Sequence, residues 1–444
     1  MKKIFVMGAG RSATDLIEYL LQHAEAESWE VTVGDMSLEL AQEKVGNHPR
    51  GKAVFFDGSK EEMRMNAVQN ADVVVSLLPP FMHIEVAKVC LEHQTHLVTA
   101  SYISNEMKAL DEAAKAANLI FLNELGADPG IDHLNIMQGI DAIHQKGGEV
   151  LEVYSYCGSL VAPESNDNPW GYKFTWSPMN VILAGQASAC YLRNGLRRFI
   201  PYNRIFSTLD TVEMGEMGSF EAYPNRDSYY YIEMYNLPHV RTMLRGTLRS
   251  KGFCEGWNAL VKLGLTANEY RIRDSVKMTY RDWVKCYVVQ NESEIIETAV
   301  ASFLGIAEDS ELMERLKSLG IFESTRIEKE NATSAEILLD LLMKKWVFRE
   351  GDKDMLVMVD KLIYQWEGKK YQKTATMAVI GTDHEHTAIS KTVGLPAAMG
   401  VKLILQNKIT KRGVIAPIYE EIYAPLLAEL AENGVSFQEV TEEI

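Results

Sequence analysis

The chain has 444 residues, with 45 Lys and Arg against 61 Asp and Glu, for a formal net charge of −16. Hydrophobic residues make up 47% and charged residues 24%, which excludes disordered and fibrous classes and predicts two or three globular domains. So acidic a balance disfavours nucleic acid or an anionic membrane as partner, although an anionic small molecule needs only a local basic pocket.

Cys90, Cys157, Cys190, Cys254 and Cys286 are odd in number and never spaced as CxxC. That argues against a disulfide framework or a metal site and for a reducing, cytoplasmic setting. The opening MKKIFVMGAG imitates a secretory signal, but its apolar run is short and Arg11, Asp15 and Glu18 follow at once. No window approaches the roughly 18 uncharged apolar residues of a membrane helix, so a soluble protein is expected.

Lys3 to Met7 reads as a first strand, and Leu16, Ile17, Leu20 and Leu21 recur behind it at helical spacing. Further strands are predicted at Val31 to Val33, Ala53 to Phe56, Asp72 to Leu78, His96 to Thr99 and Leu119 to Leu122. Helices at Ile84 to His93 and Asn105 to Ala117 separate some of them. Strands alternating with helices predict a parallel sheet covered on both faces, an α/β Rossmann domain over residues 1–128.

Between the first strand and helix lie Gly8, Ala9, Gly10, Arg11, Ser12 and Ala13. Gly8 permits a tight turn, Gly10 lets the backbone approach a pyrophosphate, and Ala13 keeps helix close to strand. The helix start offers free N–H groups to phosphate. Asp35 ends the second strand, where a carboxylate accepts the ribose hydroxyls of NAD. Its charge repels a 2′-phosphate and favours NAD over NADP, although Arg11 in the glycine loop has the reach to hold one. Asp57, Ser76, Leu77 and Ala100 end later strands, and residues there border a ligand in such a sheet.

Asp128 before Pro129 suits the start of a helix running to about Gln145. Asp132 and His133, adjacent in sequence, point apart and make a poor metal pair. Strands are then predicted at Val150 to Cys157, Ile205 to Glu213, Lys353 to Trp366 and Gln372 to Ile380, a second mixed sheet. Helical patterns from Glu255 to Trp346 predict a helical insertion at about 255–350. Helical stretches at Ala388 to Asn407 and Tyr419 to Ala431 follow. Lys173, Arg226 and Arg245 sit in turn-like segments and are candidates for holding carboxylates. Asp383-His384-Glu385-His386 looks metal-like but reads as ordinary loop.

SLLPPFMH, HLVTASYIS, GADPGIDH, YSYCGSL, NPWGYKFTWSP, YPNRDS, RGTLR and SKTVGLPAAMG, in order along nearly the whole chain, resemble the glutamate-forming saccharopine dehydrogenases, or saccharopine reductases. The resemblance implies a Rossmann domain completed by the C-terminal segment 385–444. It also implies a second α/β domain, 129–384, that carries the substrate-binding face. The implied reaction oxidises saccharopine with NAD or NADP and water to glutamate and 2-aminoadipate 6-semialdehyde. Residues matching Ser101, Tyr102, Asp128, Arg226 and the Arg245-Gly246-Thr247 segment would contact saccharopine. Those matching Ala9 to Ser12, Asp35, Ser76 and Leu77 would contact the dinucleotide. NADP-using members carry a basic residue soon after the second strand, whereas this chain has Gly34-Asp35-Met36-Ser37. That departure favours NAD and a lysine-degrading direction.

For the chemistry, Asp128, Cys157, Tyr102 and His133 are candidates for a base near the bridging nitrogen, Asp128 ranking first with Cys157 and Tyr102 beside it. The expected assembly is a homodimer. The alternatives are a carboxynorspermidine or homospermidine synthase-like imine reductase, whose amine-tailed substrates call for acidic residues in place of the arginines, and a non-catalytic NAD-binding regulator.

Overall fold

The computed structural model describes residues 1–289, 291 and 293–444; Gln290 and Glu292, inside the expected 255–350 insertion, lie outside the described residues. Its contacts divide the chain into two compact units, residues 1–150 with 362–444, and residues 151–361. The strands, in chain order, begin with β1 (Lys2–Met7), β2 (Trp29–Asp35), β3 (Gly51–Phe55), β4 (Val73–Ser76), β5 (His96–Thr99) and β6 (Ile120–Leu122). The middle of the chain adds β7 (Glu149–Val161), β8 (Ala189–Arg193), β9 (Leu196–Ile200), β10 (Asp210–Glu213), β11 (Ser219–Pro224) and β12 (Thr242–Arg249). Last come β13 (Asp354–Trp366), β14 (Lys369–Ile380), β15 (Gly413–Ile415) and β16 (Gln438–Glu443).

In the first unit a parallel sheet runs β15-β6-β5-β4-β1-β2-β3. Its central strands are continuous apolar runs because both faces are covered; every residue of β4 is buried. The first helix, Thr14–Ala24, turns Leu16, Ile17, Leu20 and Leu21 inward, as their spacing predicts. Against it packs the helix Ala388–Leu405 from the far end of the chain. Gly394 there approaches Leu16 so closely that a Cβ would stand 2.8 Å from the Leu16 nitrogen, and the Ser390 hydroxyl accepts the Asp15 N–H at 3.1 Å. Among the described residues this one helix is long and apolar enough to cross a membrane, contrary to the expectation of no such window. It is mostly buried inside the unit, however, and carries Lys391 and Lys402.

In the second unit β7 is parallel to β12, β11 is antiparallel to β12, and β10 is antiparallel to β11. The sheet is therefore mixed. Apolar residues of one face, among them Tyr156, Leu160, Leu244, Leu248 and Val357, form a core beneath it. Helices Phe253–Lys262, Tyr280–Val288, Ile296–Leu304, Glu311–Ser318 and Ser334–Lys345 form a second core around Trp170, Trp257, Trp283 and Trp346. Two of these helices begin with reciprocal caps, Thr279 with Asp282 and Thr333 with Glu336, the signature in which side chains satisfy free helix N–H groups.

Three expectations need correction. Asp128-Pro129 does not open the helix, which begins at Ile131 with Gly130 at its N-cap and no side-chain cap. Ile205 to Glu213 is not one strand: a helical turn, Tyr202–Ser207, precedes β10. Adjacent Ile205 and Phe206 both enter the core, which a strand's alternation forbids. Arg245-Gly246-Thr247 is not a turn either, but the middle of β12.

Candidate active site

The glycine loop has the geometry its sequence predicts. Gly8 has φ +108°, a conformation that favours glycine, and sits against the Leu77 carbonyl. Nothing lies within 4 Å of where a Cβ on Gly10 would stand, so the backbone there is open to a bulky phosphate. The helix that follows has no side-chain cap from its own N-cap residue, Ala13. Asp35 spans the cradle: one carboxylate oxygen accepts the Ala9 N–H at 2.8 Å and the other the Ser37 N–H at 2.9 Å. A carboxylate has about four acceptor sites, so capacity remains for ribose hydroxyls. Open loop, uncapped helix start and carboxylate together fit a dinucleotide, with Ala9 to Ser12 and Asp35 as its holders. Asp57 is bound by its own turn, accepting the Ser59 N–H and hydroxyl, and these bonds lower its pKa.

The ends of β4, β5 and β6 carry a polar network. Ser76 is fully buried, and its hydroxyl lies 2.9 Å from His83 Nδ1. Its side chain therefore faces His83. His83 Nε2 lies 2.8 Å from the Ser101 hydroxyl, so one imidazole ties β4 to β5. Burial pushes the His83 pKa down to about 4, which makes the ring neutral, with one donor and one acceptor nitrogen. Beside Ser101, the Tyr102 hydroxyl donates to an Asp128 carboxylate oxygen at 3.2 Å. That bond gives one Asp128 oxygen a defined acceptor geometry. Ala100 and Leu77 are half-buried at the same strand ends.

His133 is fully buried on the helix Ile131–Gln145, and its Nε2 lies 2.8 Å from Glu124. Neither His83 nor Glu124 stood out in the sequence as a site residue. The available signal was position: Glu124 lies two residues past the end of β6, and His83 opens the helix that follows β4.

In the second unit, parallel pairing sets Arg245 opposite Ser155 and Thr247 opposite Cys157. With side chains alternating, Arg245, Thr247 and Cys157 share the face opposite the apolar core. Cys157 is a buried free thiol. Arg245 is buried, with its guanidinium 4.4 Å from the Tyr231 ring centroid. The Arg226 loop is strapped to it: the Asn225 N–H donates to the Arg245 carbonyl at 2.9 Å, and the Arg245 N–H to the Ser228 hydroxyl at 2.9 Å. Arg226 itself is exposed, at φ +49°.

Lys173 behaves otherwise. It is buried, and its ammonium is held by Asp352 at 2.9 Å and Asp167 at 3.1 Å. Its expected use for a substrate carboxylate has no support, because the chain supplies its own. In Asp383-His384-Glu385-His386, Asp383 accepts the Glu385 and His386 N–H groups, His386 pairs with Glu18 and Glu385 with Lys44.

The description "Saccharopine dehydrogenase NADP binding domain" fits residues 4–122, and "Saccharopine dehydrogenase C-terminal domain" fits residues 126–435. The chain belongs to the saccharopine dehydrogenase family. It is 33% identical to the L-glutamate-forming, NADP(+) saccharopine dehydrogenase of Schizosaccharomyces pombe over 99% of both chains. It is also 36% identical to the mitochondrial alpha-aminoadipic semialdehyde synthase of Bos taurus, over 98% of this chain and 47% of that one, so it spans about half the length of that relative. The apo L-glutamate-forming enzyme of Saccharomyces cerevisiae superposes with a TM-score of 0.87 at 30% identity over all of both chains. A homospermidine synthase from Legionella pneumophila, solved with NAD, shares the fold alone, at TM-score 0.55 and 10% identity over 100% of this chain and 91% of that one.

Family membership makes the chain an oxidoreductase of the CH–NH class with a nicotinamide dinucleotide. The names of the fungal relatives and of the matched domain favour NADP. They do not support the preference for NAD read from Asp35.

Proposed function

We propose that the chain interconverts saccharopine with L-glutamate and 2-aminoadipate 6-semialdehyde, using a nicotinamide dinucleotide and water. The observation that supports this most is the end-to-end likeness to the yeast L-glutamate-forming enzyme. Saccharopine carries three carboxylates in all, distributed over the two sides of a secondary amine, which gives Arg226 and Arg245 a use that an amine-tailed substrate would not. Gly246, Thr247 and Ser101 contact the substrate in this reading.

The bound nicotinamide supplies a hydride acceptor for the carbon next to the bridging nitrogen. That nitrogen must first be unprotonated, and Asp128, oriented by the Tyr102 hydroxyl, receives its proton. Water then adds to the resulting imine, and a base must take a proton from that water. Once that first proton has passed to solvent, Asp128 takes one from the water and hands it to the nitrogen. Collapse of the carbinolamine breaks the carbon–nitrogen bond and releases glutamate and the aldehyde.

The test is reduced-dinucleotide formation on adding saccharopine to purified protein, with NAD and NADP side by side. A rate with either supports the reading, and no rate with either sinks it and moves attention to polyamine-type imines. A rate with NAD alone would mean that Asp35 excludes a 2′-phosphate, consistent with the oxidative, lysine-degrading direction. A rate with NADP would retire the Asp35 argument and point to the biosynthetic direction. A cytoplasmic homodimer belongs to the same proposal, its oligomeric state readable by light scattering.

A further inference from the structure

Glu124 lies two residues past β6, is 1% exposed and has φ +56°, a backbone conformation uncommon outside glycine. Its N–H donates to the Ser101 carbonyl at 3.0 Å. One of its carboxylate oxygens accepts the Ile103 N–H at 2.9 Å. Tyr102 is the residue between these two bonds, so Glu124 grips the main chain on both of its flanks. The other carboxylate oxygen lies 2.8 Å from His133 Nε2. His133 stands in the first turn of the helix that follows the Asp128 loop, next to Asp132, which accepts the Gly130 N–H at 2.6 Å.

Tyr102 and Asp128 therefore sit on two separate segments, and the 3.2 Å bond between them is too long to set the spacing of those segments by itself. Glu124 spans both. We infer that Glu124 is the positioning residue of the Tyr102–Asp128 pair, holding the Tyr102 segment by its backbone and Oε1 and the Asp128 segment through His133. This rests on the reading that Tyr102 and Asp128 serve the reaction. What the role requires is side-chain length more than charge. Gln in place of Glu still accepts from Ile103 with its amide oxygen, and its amide N–H donates to His133 Nε2 once the ring carries its proton on Nδ1. Asp keeps the charge but falls one methylene short.

The test compares E124D and E124Q with the native protein. Because misplacing a reacting group by about 1 Å costs roughly 100-fold, kcat is expected to fall about ten- to 100-fold in E124D and less than about threefold in E124Q. Dinucleotide Kd should stay within about twofold in both. The limb of the pH–rate profile that belongs to the Tyr102–Asp128 pair should move in E124D only. Hydrogen exchange of the Ile103 amide, followed by mass spectrometry with dinucleotide bound, should speed up at least about tenfold in E124D but not in E124Q. That readout decides the clamp even if saccharopine proves not to be the substrate. Native turnover in E124D, an equal loss in E124Q, or unchanged exchange at Ile103 would each overturn the inference. A parallel loss of dinucleotide affinity would reduce Glu124 to a general structural role. Absence of turnover in the native protein, with exchange behaving as expected, would sink the proposed reaction and leave the clamp standing.

Discussion

Burial of the His83 imidazole makes the first unit sensitive to acid. His83 ties Ser76 to Ser101, and burial holds its pKa near 4 in the folded chain against about 6.5 when unfolded. Between those values the unfolded chain binds the extra proton and the folded chain does not, so stability falls as pH drops from about 6.5 to about 4 and is unaffected above. The full difference is on the order of 3 kcal/mol. His83→Gln removes the titration, so the urea midpoint of the variant should change less than that of the native chain between pH about 7 and about 4.5. Equal changes would show that other groups carry the acid sensitivity. His83 also illustrates what escapes a reading of sequence at this scale. A histidine in PPFMH looks like any residue at the start of a helix, and only the folded chain brings Ser76 and Ser101 to its two nitrogens. Lys173 misleads in the opposite way: its partners Asp167 and Asp352 lie 6 and 179 residues away, so it reads as a free cation.

Elements with strong periodicity were legible. The β1 apolar run, the glycine loop and the first helix have one consistent local reading, and the structure agrees within a residue or so. β12 was missed although Arg245, Thr247 and Arg249 alternate with Leu244, Gly246 and Leu248, which is a strand signal. A polar face that is itself buried breaks the rule by which polar residues mark the surface. The β8–β9 hairpin did carry a signal, Asn194-Gly195 between two strands, which is strong hairpin chemistry. At this scale the contact between the first helix and Ala388–Leu405 can be tested. Gly394→Ala sets a methyl 2.8 Å from the Leu16 nitrogen and 3.1 Å from its Cβ. Helix propensity favours alanine by about 1 kcal/mol, but overpacking against backbone costs about 1–3 kcal/mol. The expected outcome is a net loss of stability, read as a lower Tm, with weaker dinucleotide binding because the glycine loop precedes that helix. A raised Tm would mean that the two helices separate without cost.

For the whole molecule, the first unit is built from both ends of the chain. β15 pairs with β6, the Asn123 N–H donates to Ile415, and Ala388–Leu405 covers the first helix. A chain ending at residue 384 loses the sheet edge and that cover together. It is expected to bind no dinucleotide and to lose cooperative unfolding, measured by calorimetry and by fluorescence titration with NADH and NADPH. Native affinity in the shortened chain would refute this. The same arrangement imposes an order on synthesis. Asp15 and Ser390, which share a hydrogen bond, are 375 residues apart; at about 5–20 residues per second, roughly 20–75 s separate their translation. Throughout that interval the first helix has no permanent cover, while residues 151–361 emerge complete and are free to fold. Within residues 1–444 the helix Thr14–Ala24 is made long before its cover, Ala388–Leu405, so its apolar face is where a chaperone would act on the nascent chain.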